Sequence, residues 1–336
     1  MNISAGGDLA SSFRLRYQNL DLKSRAATLG AELASGRSAD VAKKLGGGLD
    51  QLGSVQRSVS MAESYLLATT EMLNHSASQQ FALESAKGYA ETAVSKLLAV
   101  RTTPTETSIN TVAAAAHESF TSVVGALNRQ MAGRSLFAGT ATDAAALISA
   151  DDMLDDLQTL TSGATTAAQV IQAVDDYFNQ PGGGFESSAY LGNTASTGPV
   201  KISETERAEL NATASDPRLR ALMQGLATAA IMDLGALAGD NDARADLVSA
   251  AGEATLAAVG GVIGMQAEIG LVEERLQTVA ARTGAQNTAN QIILSEMVAV
   301  DGYETATRLR DVETRLEALY ISTSRLAQLS LVRFLR

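Results

Sequence analysis

The chain of 336 residues has no Cys and no Trp, only four Pro and two His, and an aromatic content of 4 %. Each shortage removes a class of protein. Without Cys there is no disulfide framework, zinc–thiolate site, iron–sulfur cluster or thiol nucleophile, and two widely separated His leave little for a His-based triad or metal cage. The composition therefore disfavours an ordinary hydrolase or metalloenzyme. With 46 % hydrophobic residues but so few rings, a core must be built from Ala, Leu, Val and Ile, which suits slender paired helices better than a thick globule. The balance of 26 Lys+Arg against 37 Asp+Glu gives a net charge of −11, and no basic cluster offers the counterion release that drives general nucleic-acid binding. The opening Met1-Asn2-Ile3-Ser4-Ala5-Gly6-Gly7-Asp8 lacks the basic start and apolar stretch of a Sec-type signal, so export would need another route. Windows 221–239 and 254–272 are apolar, but Gln224 and Asp233 interrupt the first and Gln266 and Glu268 the second, which argues against a membrane span.

What the chain does have is heptad spacing. Leu15, Asn19, Leu22, Ala26, Leu29 and Leu33 are separated alternately by four and three residues, the period that lets one helix lie along another. This seam stops at Gly36, a helix terminator, and an irregular stretch runs through Gly46-Gly47-Gly48. A second seam, Val55, Val59, Ala62, Leu66, Thr69 and Leu73, opens a helix that continues to about Arg101, where Pro104 breaks it. A third pattern, Ile109, Val112, Ala116, Phe120, Val123, Leu127 and Met131, predicts a helix returning antiparallel to the second.

After Arg134 no Lys or Arg occurs until Lys201, while eight acids do, which marks a separate acidic middle domain. Within it, 151–160 and 167–179 read as helices, and Phe185 to Leu191 and Val200 to Ser203 as strands. Asp216-Pro217 is a good helix start for 218–237, and a long helix covers 243–300 with the seam Val262, Met265, Ile269, Val272, Leu276 and Val279. Near the end, Leu309, Val312, Leu316, Leu319, Thr323 and Leu326 repeat the heptad, followed by Leu331 and Phe334. A lone heptad helix is marginal and must find a partner, and the economical partner is the other terminus. Both terminal segments are slightly basic, unlike the acidic middle, which fits a packed inner part and a solvated outer part.

Other features favour plain readings. The glycines at 46–48 have no preceding strand and no following Gly-Lys-Ser/Thr, so they read as a joint and not as a phosphate cradle. Asp151, Asp152, Asp155 and Asp156 read as a solvated acidic face ahead of weak Ca²⁺ capture, because the alternating acids and Gly of an EF-hand are absent. His75 and His117 lie on separate helices without a sequence partner.

Two segments add a resemblance. Leu29-Gly30-Ala31-Glu32-Leu33-Ala34-Ser35-Gly36-Arg37 resembles the ending of the first helix in the bacterial flagellin superfamily. Asn128-Arg129-Gln130-Met131-Ala132-Gly133-Arg134-Ser135-Leu136-Phe137-Ala138-Gly139-Thr140 resembles the lead into the middle domain of the hook-associated protein 3 family, the hook–filament junction group. Ala267-Glu268-Ile269-Gly270 and Tyr320 to Leu335 are similar to the returning helix and the C-terminal ending. The turn after Arg37, Ser38-Ala39-Asp40-Val41-Ala42-Lys43-Lys44-Leu45-Gly46, departs from the superfamily's pattern.

The resemblance implies a mainly α, elongated, flagellin-like fold. It would comprise an N-terminal assembly segment at 1–45 pairing with 285–336, rod helices at 46–135 and 216–284, and a small mixed α/β outer domain at 136–215. It implies an assembly interface of Leu15, Leu22, Leu29, Leu33, Leu309, Val312, Leu316, Leu319, Leu326, Leu331 and Phe334. Asn128, Gly133, Leu136, Phe137 and Gly139 would form the lead into the middle domain. The implied function is a non-enzymatic structural subunit at the hook–filament junction of the extracellular flagellum. It would contact hook-associated protein 1, flagellin and its own copies, with an export chaperone beforehand and no cofactor, nucleic acid or membrane. The alternatives are a flagellin filament subunit and an intracellular coiled-coil scaffold.

Overall fold

The computed structural model describes residues 4–101, 104–195 and 198–334, with the side chains of 4–9, 11 and 326–334 outside the described set. The fold is mainly α. Helices α1 (Ser4–Ser35), α2 (Val41–Lys44), α3 (Leu49–Val100) and α4 (Glu106–Leu127) lead to a hairpin of β1 (Gln130–Met131) and β2 (Arg134–Ser135). Then follow α5 (Ala150–Thr161), α6 (Ala167–Asn179), a π-helical turn at Phe185–Ala189, the ladder of β3 (Val200–Lys201) with β4 (Arg207–Ala208), α7 (Pro217–Ala230), α8 (Asn241–Val298) and α9 (Gly302–Phe334). Two compact units result, one of Met1–Ala62 with Ala285–Arg336 and one of Glu63–Gly284.

The helix ends follow from local chemistry. Gly36 takes a φ of +68° and its amide closes on the Glu32 carbonyl at 2.8 Å, a left-handed stop that costs glycine little. Thr105 caps α4 with a reciprocal box to Ser108, as expected after a proline break. The Asp216 carboxylate accepts the Arg218 amide at 2.9 Å ahead of Pro217. Burial pushes the Asp216 carboxyl up, but the hydrogen bonds and charge of Arg218 outweigh it and hold the group below its ordinary value.

In the first unit, α1 and α9 lie side by side. They run antiparallel, because Arg37 bridges Ala299 while Lys23 sits over Tyr320. In the second unit, α3 and α8 run antiparallel. The Gln80 amide donates to the Gln266 carbonyl at 2.8 Å, and Arg101 pairs with Glu253 at 2.7 Å. Helix α7 packs on α4 and α6 and approaches α8 so closely that a Cβ on Gly225 would stand 2.5 Å from the Thr255 hydroxyl. The main core joins Leu83 and Leu97 of α3, Ile109, Phe120 and Leu127 of α4, Leu222 of α7 and Val262 of α8, all fully or almost fully buried. By length and composition α8 is apolar enough to cross a membrane, and its seam residues Val262, Met265 and Ile269 belong to this core.

Three sequence expectations need correction. Phe185–Ala189 is a π-helical turn closed by the Tyr190 amide on the Phe185 carbonyl at 2.8 Å. Winding puts Phe185 and Ala189 on one buried side, with the Phe185 ring 5.6 Å from Phe178 and 6.1 Å from Tyr190, a cluster an extended strand does not reach. Helix α7 ends at Ala230, short of 237. Gly235 and Leu237 turn left-handed there, and the buried Arg244 guanidinium takes the Met232 carbonyl at 3.1 Å, an acceptor that continued helix needs. Met131 leaves the α4 pattern to pair in β1.

The β1–β2 hairpin turns through Ala132 and Gly133, with φ of +52° and +77°. This two-residue turn prefers Asn-Gly, and alanine pays for the left-handed conformation. Replacing the exposed Ala132 by Asn is expected to raise stability by roughly 0.5–1 kcal/mol in chemical denaturation, whereas Ala132→Val is expected to lower it.

Candidate assembly surfaces and the lead into the middle domain

The heptad residues of α1 and α9 face each other but are not sealed. Leu15, Leu22 and Leu29 on α1, and Leu309, Val312, Leu316 and Leu319 on α9, are all half-buried, while Leu33 is exposed. The side chains of Leu326, Leu331 and Phe334 lie outside the described residues. No side chain described between residues 10 and 35 is fully buried. A two-helix pair covers only one flank of each seam, so the other flank remains wet.

The closed end of the pair is polar and specific. The Ser38 amide donates to the Val298 carbonyl at 2.8 Å and the Val300 amide to the Gly36 carbonyl at 2.9 Å. The Lys44 ammonium donates to the carbonyls of Glu296, at 3.0 Å, and Ala299, satisfying groups left open at the end of α8. Glu32 accepts the Ala39 amide at 2.8 Å. Farther along, the Lys23 ammonium lies 5.8 Å from the Tyr320 ring centre, and its hydrogen bond to the phenol draws Tyr320 below its ordinary pKa.

On the face of α1 opposite the Leu seam runs a second apolar stripe. Phe13, Tyr17 and Leu20 repeat at four and three residues and are 64 %, 77 % and 68 % exposed. On α9, Tyr303, Tyr320 and Ile321 are exposed too. Large apolar side chains in a row on one helix face, uncovered, mark a surface that binds another chain. Sequence reasoning passed over this stripe, although its spacing was visible two positions ahead of the Leu seam.

The lead into the middle domain behaves differently, because every predicted residue there is used internally. Asn128 ends α4 and its amide exchanges two hydrogen bonds with Leu147, at 2.9 and 2.8 Å, imitating a strand pair. Gly133 supplies the hairpin turn. Leu136 and Phe137 are buried, and their carbonyls receive the Gln79 side-chain amide at 2.8 Å and the Ala214 amide at 2.9 Å. Gly139 sits at a φ of +60° where a Cβ would be 2.0 Å from the Asn193 carbonyl oxygen and 2.6 Å from that of Ala195. The motif thus clasps the outgoing strand to the returning segment. It is a lock within the fold and not an exposed contact.

His117 gains partners that the sequence did not reveal. Its Nδ1 is 2.9 Å from Asp233, and its Nε2 is 3.9 Å from Asp151. Other acids of α5 are engaged locally: Asp152 accepts the Ser149 hydroxyl at 2.6 Å, and Asp156 accepts the Tyr177 phenol at 3.4 Å. Burial and then the Asp156 charge raise the Tyr177 pKa. Among the described residues, no three His, Asp or Glu side chains converge as metal ligands do.

Long antiparallel helices at the two ends of the chain, with the shorter α5 and α6 between α4 and α7, define a mainly α, flagellin-like fold. In particular, the chain is similar to the structure of a flagellar hook-associated protein from Vibrio parahaemolyticus, with a TM-score of 0.52 at 17 % identity over 73 % of this chain and 95 % of that one. FlgL of Bacillus cereus aligns over 72 % of this chain and 99 % of its own, with a TM-score of 0.48 and 16 % identity. No protein-family model and no curated protein matches the chain.

Gly139→Ala is expected to destabilise the second unit by about 2–4 kcal/mol, through the steric clash and the left-handed backbone together. Gly125→Ala, in an exposed α4 position with open space around it, is expected to stabilise by about 0.5–1 kcal/mol. Thermal unfolding of the two variants checks the contrast.

Proposed function

We propose that this chain is a structural subunit of the bacterial flagellum and acts as the adaptor between hook and filament. The observation that carries the reading is the half-open apolar seam of α1 and α9, with the exposed Phe13–Tyr17–Leu20 stripe on the opposite face of α1. Such a surface is stable only in part by itself. Completing the burial of a half-covered Leu or Val contributes roughly 1 kcal/mol per side chain. Neighbouring subunits that cover Leu15, Leu22, Leu29, Leu33, Leu309, Val312, Leu316 and Leu319 therefore favour assembly steeply, in the manner of coupled ordering and association. The interface extends by this reading to Leu326, Leu331 and Phe334. The likeness of fold to a flagellar hook-associated protein supports the same role, and the Asn128–Thr140 motif, with Gly133, Leu136, Phe137 and Gly139, favours the junction protein over flagellin.

On this reading 1–45 and 285–336 form the packed inner part, 46–135 and 216–284 the rod, and 136–215 the part that faces solvent. The partners are hook-associated protein 1 on one side, flagellin on the other and copies of the chain around the ring. An export chaperone shields the C-terminal seam before secretion through the flagellar type III channel. The role is mechanical, without catalysis or cofactor.

Leu22→Asp or Leu316→Asp places a charge in the α1–α9 seam and is expected to block assembly while leaving the second unit folded. In a strain carrying only such a variant, hooks are expected to form without filaments, with flagellin shed into the medium. Filaments of normal length would contradict the proposal. Circular dichroism of the purified variant, retaining the main unfolding transition, separates lost assembly from lost folding.

A further inference from the structure

Behind the β1–β2 hairpin, within the second unit, lies a cavity of about 470 Å³ bounded by α3, the hairpin and the 198–213 segment. Its size falls in the range of small-ligand sites, roughly 300–1,000 Å³. Its wall gathers polar groups that the fold leaves without partners. Gln79 spends its amide N–H on the Leu136 carbonyl, and its Oε1 has no partner; the Ser135 hydroxyl has none either. Both side chains are almost wholly buried. Two of the five such orphaned side-chain atoms among the described residues thus border one cavity. Buried polar groups are ordinarily satisfied, so this concentration asks for a reason.

The charged groups narrow the chemistry. Those bordering the cavity are Glu71 and His75 of α3 and Arg134 of β2. Arg134 is exposed at the rim and forms no ion pair among the described residues, although acids outnumber basic residues in the chain by 37 to 26. His75 has no hydrogen-bond partner there, and burial, followed by the charge of Arg134, lowers its pKa. A guanidinium held in no ion pair and an imidazole without a hydrogen-bond partner offer N–H donors to an anion, with Glu71 the one carboxylate on the same wall among the described residues. The remaining wall carries the apolar Met72, Met131, Leu136 and Leu210 together with Thr142 and Thr213.

We propose that this cavity binds a carboxylate with an apolar body, the carboxylate held by Arg134 and His75 and the body lying against Met72, Met131, Leu136 and Leu210. The same chemistry is presented by a free medium-chain acid and by the apolar C-terminal end of a peptide. A negative charge beside His75 favours its imidazolium, so binding raises the His75 pKa and tightens as pH falls. Glu71, exposed on the rim, repels the same carboxylate and so weakens the binding that Arg134 and His75 favour.

The test is calorimetric and NMR titration of the full chain with octanoate, octanol, and a leucine-terminated tetrapeptide with free or amidated C-terminus, at about pH 6 and about pH 8. Saturable binding of octanoate or the free-acid peptide is expected, tighter at the lower pH, with the His75 ring signals shifted toward the imidazolium form. The tighter of the two identifies the source. Arg134→Gln is expected to weaken binding about tenfold or more. Arg129→Gln, whose guanidinium lies over Phe81 at 4.6 Å outside the cavity, is expected to leave it unchanged. Octanoate and peptide binding no better than octanol and the amide, binding indifferent to Arg134→Gln, or unmoved His75 signals would each overturn the proposal.

Discussion

A helix poor in aromatic side chains has little reach, so it can be buried only by another helix lying along it. This constraint governs the chain from end to end. With Ala, Leu, Val and Ile as the available bulk, α3, α4, α7 and α8 of the second unit achieve full burial by close approach, as Gly225 against Thr255 and Gly252 against Leu97 and Leu98 demonstrate. In the first unit α1 and α9 pack along each other, and such a pair cannot enclose a seam on all sides. The same residue chemistry therefore yields a finished core in one unit and an unfinished one in the other. That difference is the physical basis for reading the terminal helices as assembly elements.

The middle of the chain solves another problem, how to leave α4 and come back into α7. The solution is local and backbone-directed. Asn128 imitates a strand with Leu147, Gly133 turns the hairpin, and Gly139 lets the outgoing backbone touch the carbonyls of Asn193 and Ala195. Aromatic side chains, scarce elsewhere, gather here. Tyr177, Phe178, Phe185 and Tyr190 pack in succession, edge-on, tilted and then stacked, giving this segment the bulk that short helices cannot supply from aliphatic residues alone.

Much of the helical architecture was legible because heptad spacing and helix-end chemistry are local signals. Gly36, Thr105 and Asp216 end or begin helices where the sequence places such residues. What could not be read depended on partners distant in sequence. The Phe185–Leu191 run has the composition of a strand, but ring packing against Phe178 winds it into a π-helical turn. The end of α7 is decided by Arg244, which lies beyond the helix and claims the Met232 carbonyl. His117 looked solitary, since nothing in its neighbourhood of sequence announces Asp233 or Asp151. Among candidate surface residues, the Leu seam was evident from its period, whereas the shorter Phe13–Tyr17–Leu20 stripe on the opposite face was masked by that stronger pattern.

The central claim, that the unfinished seam of the terminal helices is completed inside a flagellar junction, is tested most directly by immunogold electron microscopy of intact flagella with antibody against residues 141–215. A narrow band of label at the hook–filament boundary is the expected result. Label along the whole filament would make the chain a filament subunit, and absence of label outside the cell would contradict a flagellar role altogether.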